Sequence, residues 1–358
     1  IDYAIKDGVS EDDEISLDFK KLSNFTKNNS KWIIPLFLIL IAILVSTHFR
    51  MMSSDLPITD EWAENSVNSY YKQNIAAQIS QQYPNLPSQN KQALAEKEYQ
   101  KVLDENKDQI ERDIGQLSSE YKSYFKDDNG DTYLLAIDPY LWYSEARNVI
   151  NHGHLGDTII DGESYFSLRD GRLDKKSTFQ LHPYIAAYTY KLLSIFNPNI
   201  SLMRALFLLP AIIIGLALIP TFFIGRKLGG NIGGFFAAMF LAVNGSLLSR
   251  TPAGFSDTDP YSILFPVMVV WLFFEAYNAK TLKYKILLSS LAGLFSGLYA
   301  ATWTGWTHIF WFVNIAIFLA ILFNLIMELI KHKNKFNLNI FKNKKIKNKF
   351  LILICFII

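Results

Sequence analysis

The stretch ALFLLPAIIIGLALIPTFFIG, residues 205–225, contains no charged side chain and is built almost entirely from apolar residues. An α-helix rises about 1.5 Å per residue, so about 20 residues are enough to cross the roughly 30 Å hydrocarbon layer of a bilayer. The length and apolar character of this run therefore predict a transmembrane helix.

Further uncharged runs of similar character occur along the chain. Hydrophobic residues make up 50% of the 358 residues, and aromatic residues make up 15%. The single cysteine, Cys355, excludes a disulfide scaffold and a cysteine-rich zinc module. The sequence thus predicts an α-helical membrane protein with several spans. The further runs are residues 33–48, 228–249, 260–274, 286–307 and 309–327.

The distribution of lysine and arginine between the spans predicts the orientation of the chain. Cytoplasmic loops of membrane proteins carry an excess of these residues. With a cytoplasmic N-terminus, the basic residues after the second, fourth and sixth spans all fall in the cytoplasm. The loop after the sixth span lies between two spans, which favours a topology signal or lipid contact over nucleic-acid binding. The three groups are Arg226 and Lys227; Lys280, Lys283 and Lys285; and the lysines from Lys331 to Lys349.

This topology divides the chain into segments of alternating location in the cell membrane. We expect the chain to be the N-terminal part of a longer protein, because it stops inside an apolar run. The expected segments are a cytoplasmic N-terminal segment (1–31), the first transmembrane helix (32–49), a large external loop (50–203) with a helical insertion (58–126) and a first acidic motif (134–157), transmembrane helices two to six (204–329) with a second acidic motif in an external loop (249–259), a basic cytoplasmic loop (330–349) and the start of a seventh helix (350–358).

The first acidic motif is IDPYLWYSEARNVINHGHLGD, residues 137–157. Pro139 is suited to the first turn of a helix, with Asp138 as its N-cap, and Gly153 is suited to its end. From the residues alone, Asp138 is either a helix cap or a ligand of a metal ion.

The second acidic motif is SRTPAGFSDTDPYSILFP, residues 249–266. Asp257 and Asp259 flank Thr258, and this spacing lets two carboxylates converge on one cation. The pattern is weak by itself, but it lies between two spans, where unpaired carboxylates are costly. A divalent cation or a basic group such as Arg250 would offset their repulsion.

Together the two motifs resemble those of the oligosaccharyltransferase catalytic-subunit family, in particular its archaeal branch. The resemblance implies a C-type glycosyltransferase fold with a large helical first external loop. It also implies transfer of a glycan from a dolichol phosphate or pyrophosphate carrier to the asparagine of N-x-S/T sequons. The expected partners are this lipid-linked oligosaccharide, the acceptor polypeptide and membrane lipid, with no nucleic acid, and the enzyme is expected to act as a single subunit.

The resemblance also implies roles for individual residues. Asp138, Asp257 and Asp259 match the residues that hold Mn²⁺ or Mg²⁺, and carboxylate oxygens suit either ion. Asp138 would also accept a hydrogen bond from the acceptor amide, and Arg250 would balance the acidic charge. His182 is a candidate further ligand, with a purely structural histidine as the alternative.

The resemblance implies that further parts of the family pattern would lie beyond residue 358. These are a later glutamate, an arginine that contacts the carrier phosphate and the W-W-D-Y-G sequon pocket, so we expect this segment to be inactive alone. The helical insertion and the N-terminal segment depart from the family pattern. The alternatives are a glycosyltransferase of the protein O-mannosyltransferase type and a non-enzymatic cation channel or transporter.

Overall fold

The computed structural model describes residues 29–168, 176–331 and 344–358, and this part of the chain is almost entirely helical. The N-terminal lysines and most of the basic loop lie outside the described residues. The helices are α1 (Ser30–Met51), α2 (Pro57–Gln82), α3 (Ser88–Glu105), α4 (Lys107–Ser123), α5 (Ile137–His152), α6 (Leu181–Phe196), α7 (Leu202–Ala242), α8 (Gly245–Leu248), α9 (Tyr261–Asn278), α10 (Leu282–Ala300), α11 (Thr307–Lys331) and α12 (Lys344–Ile357).

In the described ranges of the chain, four helical stretches are long and apolar enough to cross a membrane. They are Ser30–Asp55, Leu202–Ala242, Tyr261–Asn278 and Thr304–Ile330. The chain is an integral membrane protein. The helix α10 runs beside α9 and packs closely against it. The prediction of a helical membrane protein is thereby confirmed.

Helix α7 is two helical arms joined by a sharp bend. Gly230 has φ +63° and ψ −159°, a conformation that excludes most other residues. Beyond the bend the arms run against each other, since a Cβ on Gly225 would lie 2.7 Å from the Gly233 carbonyl oxygen. Small residues permit this close approach of two helices in a bilayer. The second and third apolar runs of the sequence thus form a hairpin.

Two apolar clusters hold the helices together. The larger joins α5 and α6 to the helices α7, α9, α10, α11 and α12. The smaller lies between α1 and both arms of α7, and includes Ile39, Leu218 and Ala238. Because helix α6 belongs to the larger cluster, it is fixed to the membrane helices and its side chains have defined neighbours.

The expected helical insertion consists of α2, α3 and α4, with α2 packed against both of the others. Polar contacts supplement a small set of buried residues: Tyr71 donates a hydrogen bond to Asp113 over 2.9 Å, and Lys122 contacts Asp60 at 2.8 Å. The hydrogen bond from Lys122 is the main reason that the pKa of Asp60 is lowered. A turn follows at Asp127, whose side chain accepts the backbone N–H groups of Asn129 and Asp131.

Helix α5 begins one residue before Asp138, with Ala136 at the N-cap position. Of the two alternatives for Asp138, the helix cap is therefore wrong, because the chain enters the helix two residues earlier than the Asp-Pro pair suggests. Gly153 ends the helix with φ +82°, as predicted. A hairpin that the sequence did not indicate follows, with the antiparallel strands β1 (Thr158–Ile160) and β2 (Glu163–Tyr165).

Candidate active site

A direct hydrogen bond connects the two acidic motifs. The indole Nε1 of Trp142, in α5, donates to Oδ1 of Asp257 over 2.9 Å. The same oxygen accepts the backbone N–H of Thr258 over 2.7 Å. Two donors on one oxygen fix the orientation of the carboxylate, and Oδ2 is left for other partners.

Asp138 lies one helical turn before Trp142, on the same face of α5, since residues four apart are neighbours on a helix. The rise between them is about 6 Å. The Asp138 side chain is exposed, and Pro139 beside it is buried. Asp138 is therefore on the face of α5 that carries the contact to the second motif.

Asp259 is partly buried beside Asp257. Its pKa is raised, first by burial and then by the negative charge of Asp257, while Arg250 acts in the opposite direction. Nη1 of Arg250 lies 4.0 Å from Oδ2 of Asp259, and the arginine side chain is 71% exposed. Such an exposed ion pair offsets the repulsion between the Asp257 and Asp259 carboxylates only weakly. A cation between the carboxylates would relieve it more fully.

His182, at the start of α6, is fully buried beneath the motifs. Its Nδ1 is 2.9 Å from the Tyr261 hydroxyl, and its Nε2 is 3.5 Å from Oγ of Ser256. The indole of Trp142 meets the ring edge to face, with 5.5 Å between centroids. Burial lowers the pKa of His182 to about 4, and Asp257 offsets only part of this shift. The imidazole is thus neutral at pH 7.

The second acidic loop is anchored by backbone contacts. Ala253 donates to the Arg50 carbonyl over 2.9 Å, and Gly254 donates to the Phe207 carbonyl over 2.8 Å. Leu135, just before α5, donates to the Gly254 carbonyl over 3.0 Å. Gly254 has φ +88°, and a Cβ there would lie 2.6 Å from the Phe207 ring. Only glycine fits this position.

The side chain of Arg50, at the end of α1, anchors the second acidic loop. This side chain is completely buried. Nε donates to Oγ1 of Thr251 over 3.1 Å, and Nη1 donates to Oγ of Ser46 over 2.7 Å and to the Ala242 carbonyl over 3.0 Å. One guanidinium thus joins the first span, the second arm of α7 and the acidic loop.

Sequence reasoning missed both Trp142 and Arg50. Arg50 and Thr251 are 201 residues apart, and Trp142 and Asp257 are 115 residues apart, so neither contact leaves a local pattern. A signal existed for Trp142, because it follows Asp138 by four residues on a predicted helix. For Arg50, the arginine directly after an apolar run suggested only the end of a span.

The chemistry of the carboxylate donors suits a hard divalent cation. Within residues 29–168, 176–331 and 344–358, however, no group of three or more His, Cys, Asp or Glu side chains is placed to hold one metal ion. Asp257 and Asp259 are close enough for the charge of Asp257 to raise the pKa of Asp259, but together with Asp138 they do not form such a group. Metal binding by Asp138, Asp257, Asp259 and His182 stays a prediction.

Comparison with known proteins identifies the family. Residues 112–358 match the family described as oligosaccharyl transferase STT3, N-terminal. The chain belongs to this family. The resemblance of the two acidic motifs to an oligosaccharyltransferase catalytic subunit is therefore confirmed. The matched range begins within α4, so most of the helical insertion precedes it.

Curated relatives of the STT3-family chain come from archaea. It is 34% identical over 235 residues to the dolichyl-phosphooligosaccharide-protein glycotransferase of Methanococcus voltae, covering 62% of this chain and 26% of the relative. The protein of the same name from Methanocaldococcus jannaschii is 33% identical over 183 residues, covering 49% of this chain and 20% of the relative. The matched regions thus span about a quarter and a fifth of the length of these two relatives.

Among solved structures, a match to part of the chain is the oligosaccharyltransferase AglB from Archaeoglobus fulgidus, in complex with an inhibitory peptide and a dolichol-phosphate. It is 20% identical, with a TM-score of 0.46, and the match covers 63% of this chain and 25% of that chain.

Proposed function

We propose that this chain is the membrane part of an oligosaccharyltransferase catalytic subunit. The complete protein transfers a glycan from a dolichol phosphate or pyrophosphate donor to the asparagine of an N-x-S/T sequon. The 2.9 Å hydrogen bond from Trp142 to Asp257 supports this proposal most directly, because it brings the two acidic motifs of the family to one place.

The acidic residues have distinct roles in this proposal. Asp257 and Asp259 hold Mn²⁺ or Mg²⁺, with Asp138 as a third ligand and His182 as a candidate further one. The ion, when bound, supplies positive charge near the departing phosphate and stabilises the charge that develops there. Asp138 accepts a hydrogen bond from the acceptor amide and orients this poor nucleophile. Arg250 offsets part of the acidic charge.

We further propose that the acidic motifs face the extracytoplasmic side of the membrane. Lys227, whose Nζ lies 3.0 Å from Oε1 of Glu275, is near the bend of α7, at the opposite ends of the helices from the acidic motifs. Placing Lys227 and the lysines after α9 in the cytoplasm satisfies the positive-inside rule.

The test is transfer by the intact protein in membranes, with lipid-linked oligosaccharide and a labelled N-x-T peptide. Removal of divalent metal is expected to abolish transfer, and Mn²⁺ is expected to restore it. Asp257→Asn preserves the shape of the side chain and is expected to slow transfer by about 100-fold or more, since it removes an electrostatic group of the site. Asp161→Asn is the matched control, because Asp161 is an exposed turn residue with φ +52°, which asparagine tolerates.

The same preparation separates the alternatives. Glycan found on serine or threonine would indicate a protein O-mannosyltransferase type of enzyme. Cation flux through proteoliposomes without any glycopeptide would indicate a channel or transporter. Equal transfer by Asp257→Asn and Asp161→Asn would contradict the assignment of Asp257, whatever the reaction.

A further inference from the structure

Two lysines line a cavity that lies far from the acidic motifs. The cavity has a volume of about 320 Å³ and is lined by Tyr277, Lys285, Asn324, Asn348, Lys349 and Ile352. These residues come from α9, α10, α11 and α12. Tyr277 lies 16 residues after Tyr261 in α9, about 24 Å along the helix axis from the His182 contact. The cavity is thus separate from the candidate active site.

Among the described residues, the ammonium groups of both lysines have only neutral partners. Lys285 is 8% exposed, and its Nζ donates to the Tyr277 carbonyl over 3.3 Å. Nζ of Lys349 donates to the Ala320 carbonyl over 3.1 Å and lies 5.1 Å from the centroid of the Tyr277 ring. Tyr277 therefore contacts both ammonium groups.

The described lining of the cavity contains no compensating carboxylate, because none of its six residues is acidic. In the part of the chain that the structure describes, no ion pair involves either lysine, and Glu275 on the same helix as Tyr277 contacts Lys227 instead. Cations among membrane helices are costly unless an anion or a polar group compensates them. The carbonyls of Tyr277 and Ala320 and the ring of Tyr277 offset the positive charges of the two lysines only in part.

We propose that this cavity binds the phosphate of an anionic lipid headgroup. The two ammonium groups supply the charge. The amide of Asn348 and the second N–H of Asn324, whose Nδ2 also donates to the Ala320 carbonyl, supply hydrogen-bond donors for phosphate oxygens. Basic cavities between membrane helices commonly recognise such headgroups. The place of the cavity at the helix ends suits a lipid rather than a soluble ligand, because apolar Ile352 forms part of its lining and the exposed side chain of Phe274 lies one turn before Tyr277, toward the middle of α9.

The experiment uses the intact purified protein and native mass spectrometry. Added phosphatidylglycerol is compared with phosphatidylcholine, and inorganic phosphate is added as a competitor in a separate arm. The wild-type protein is expected to retain phosphatidylglycerol preferentially. Lys285→Met and Lys349→Met are each expected to weaken retention about fivefold, the change that corresponds to ~1 kcal/mol for one lysine near a lipid headgroup.

Lys283→Met is the matched control, since Lys283 is exposed on the same helix as Lys285. Lys285→Arg keeps the charge and is expected to preserve binding, which separates loss of charge from loss of fold. Equal retention by Lys283→Met and Lys285→Met would overturn the proposal. Displacement of the lipid by millimolar inorganic phosphate would assign the cavity to a soluble anion, and absence of any lipid preference in the wild type would likewise overturn the proposal.

Discussion

Trp142 and Asp257 are joined by a 2.9 Å hydrogen bond from the indole N–H to the carboxylate, although 115 residues separate them in the sequence. This hydrogen bond holds α5 against the second acidic loop. Because it occupies Oδ1 of Asp257, Oδ2 is the oxygen left for other partners. His182 supports the indole from the buried side. The orientation of one acidic side chain thus depends on a residue from the other acidic motif.

Trp142→Phe is expected to slow glycan transfer about tenfold. Phenylalanine keeps an aromatic ring against His182 but removes the N–H, and a hydrogen bond to a charged group is worth about 1.5 kcal/mol or more. The rate of glycopeptide formation measures this effect. The Mn²⁺ concentration for half-maximal binding, followed by electron paramagnetic resonance, is expected to rise as well, because the carboxylate loses its fixed orientation.

The matched control for this substitution is Trp62→Phe, because Trp62 lies in the helical insertion and is 45% exposed. It is expected to leave both measurements unchanged. If Trp142→Phe also left both measurements unchanged, the indole of Trp142 would contribute only to packing. Its hydrogen bond to Asp257 would then have no role in glycan transfer.

Arg50→Met is expected to loosen the second acidic loop without unfolding the protein. Methionine fills much of the volume of the arginine side chain and buries no charge. These two effects offset the loss of the hydrogen bonds that Arg50 donates to Ser46 and Ala242. The contact with Thr251 disappears, so amide hydrogens of residues 249–259 should exchange about tenfold faster, matching ~1.4 kcal/mol of local stability.

Hydrogen exchange measured by mass spectrometry tests the Arg50 prediction. Arg112→Met serves as the control, since Arg112 is exposed and its side chain bonds only to Gln109 among the described contacts. Unchanged exchange in the loop, with Arg50→Met folded, would mean that the backbone contacts of Ala253 and Gly254 hold the loop by themselves.

The sequence predicted the features that depend on local pattern. Apolar runs located the membrane helices, and Gly153 marked the end of α5, because hydrophobic periodicity and left-handed conformation are properties of a few adjacent residues. The start of α5 was misplaced because an Asp-Pro pair fits both the cap and the first turn. The strands β1 and β2 are three residues each, too short to give an alternating pattern.

The candidate site was only partly predictable for a different reason. The acidic residues were found because they belong to motifs, but Arg50 and Trp142 act through contacts between distant segments. The burial of His182 could not be seen either, since its neighbours come from two distant parts of the chain: Trp142 from the first acidic motif, and Ser256 and Tyr261 from the second. These contacts form only through tertiary packing, which cannot be read directly from a single sequence.

Gly254→Ala is expected to destabilise the acidic loop by about 1–3 kcal/mol, the cost of a non-glycine residue in a rare backbone conformation. The new Cβ would also lie 2.6 Å from the Phe207 ring and 2.9 Å from Leu135. Gly115→Ala is the opposite case: Gly115 lies within α4 with nothing within 4 Å of a Cβ, so alanine should stabilise that helix by about 0.5–1 kcal/mol. Thermal unfolding of both variants measures the contrast, and a tolerated Gly254→Ala would refute the close packing of the loop.

Arg250→Gln is expected to reduce transfer while leaving thermal stability nearly unchanged. The arginine is 71% exposed and 4.0 Å from Asp259, so its contribution to folding is below about 1 kcal/mol. Its charge, however, opposes the repulsion between Asp257 and Asp259, and this effect weakens as salt rises. The difference in rate between wild type and Arg250→Gln should therefore shrink between 50 and 500 mM salt, and Arg250→Lys should retain most of the wild-type rate. A constant difference at all salt concentrations, with Arg250→Lys as slow as Arg250→Gln, would instead mean that the guanidinium shape contacts the substrate directly.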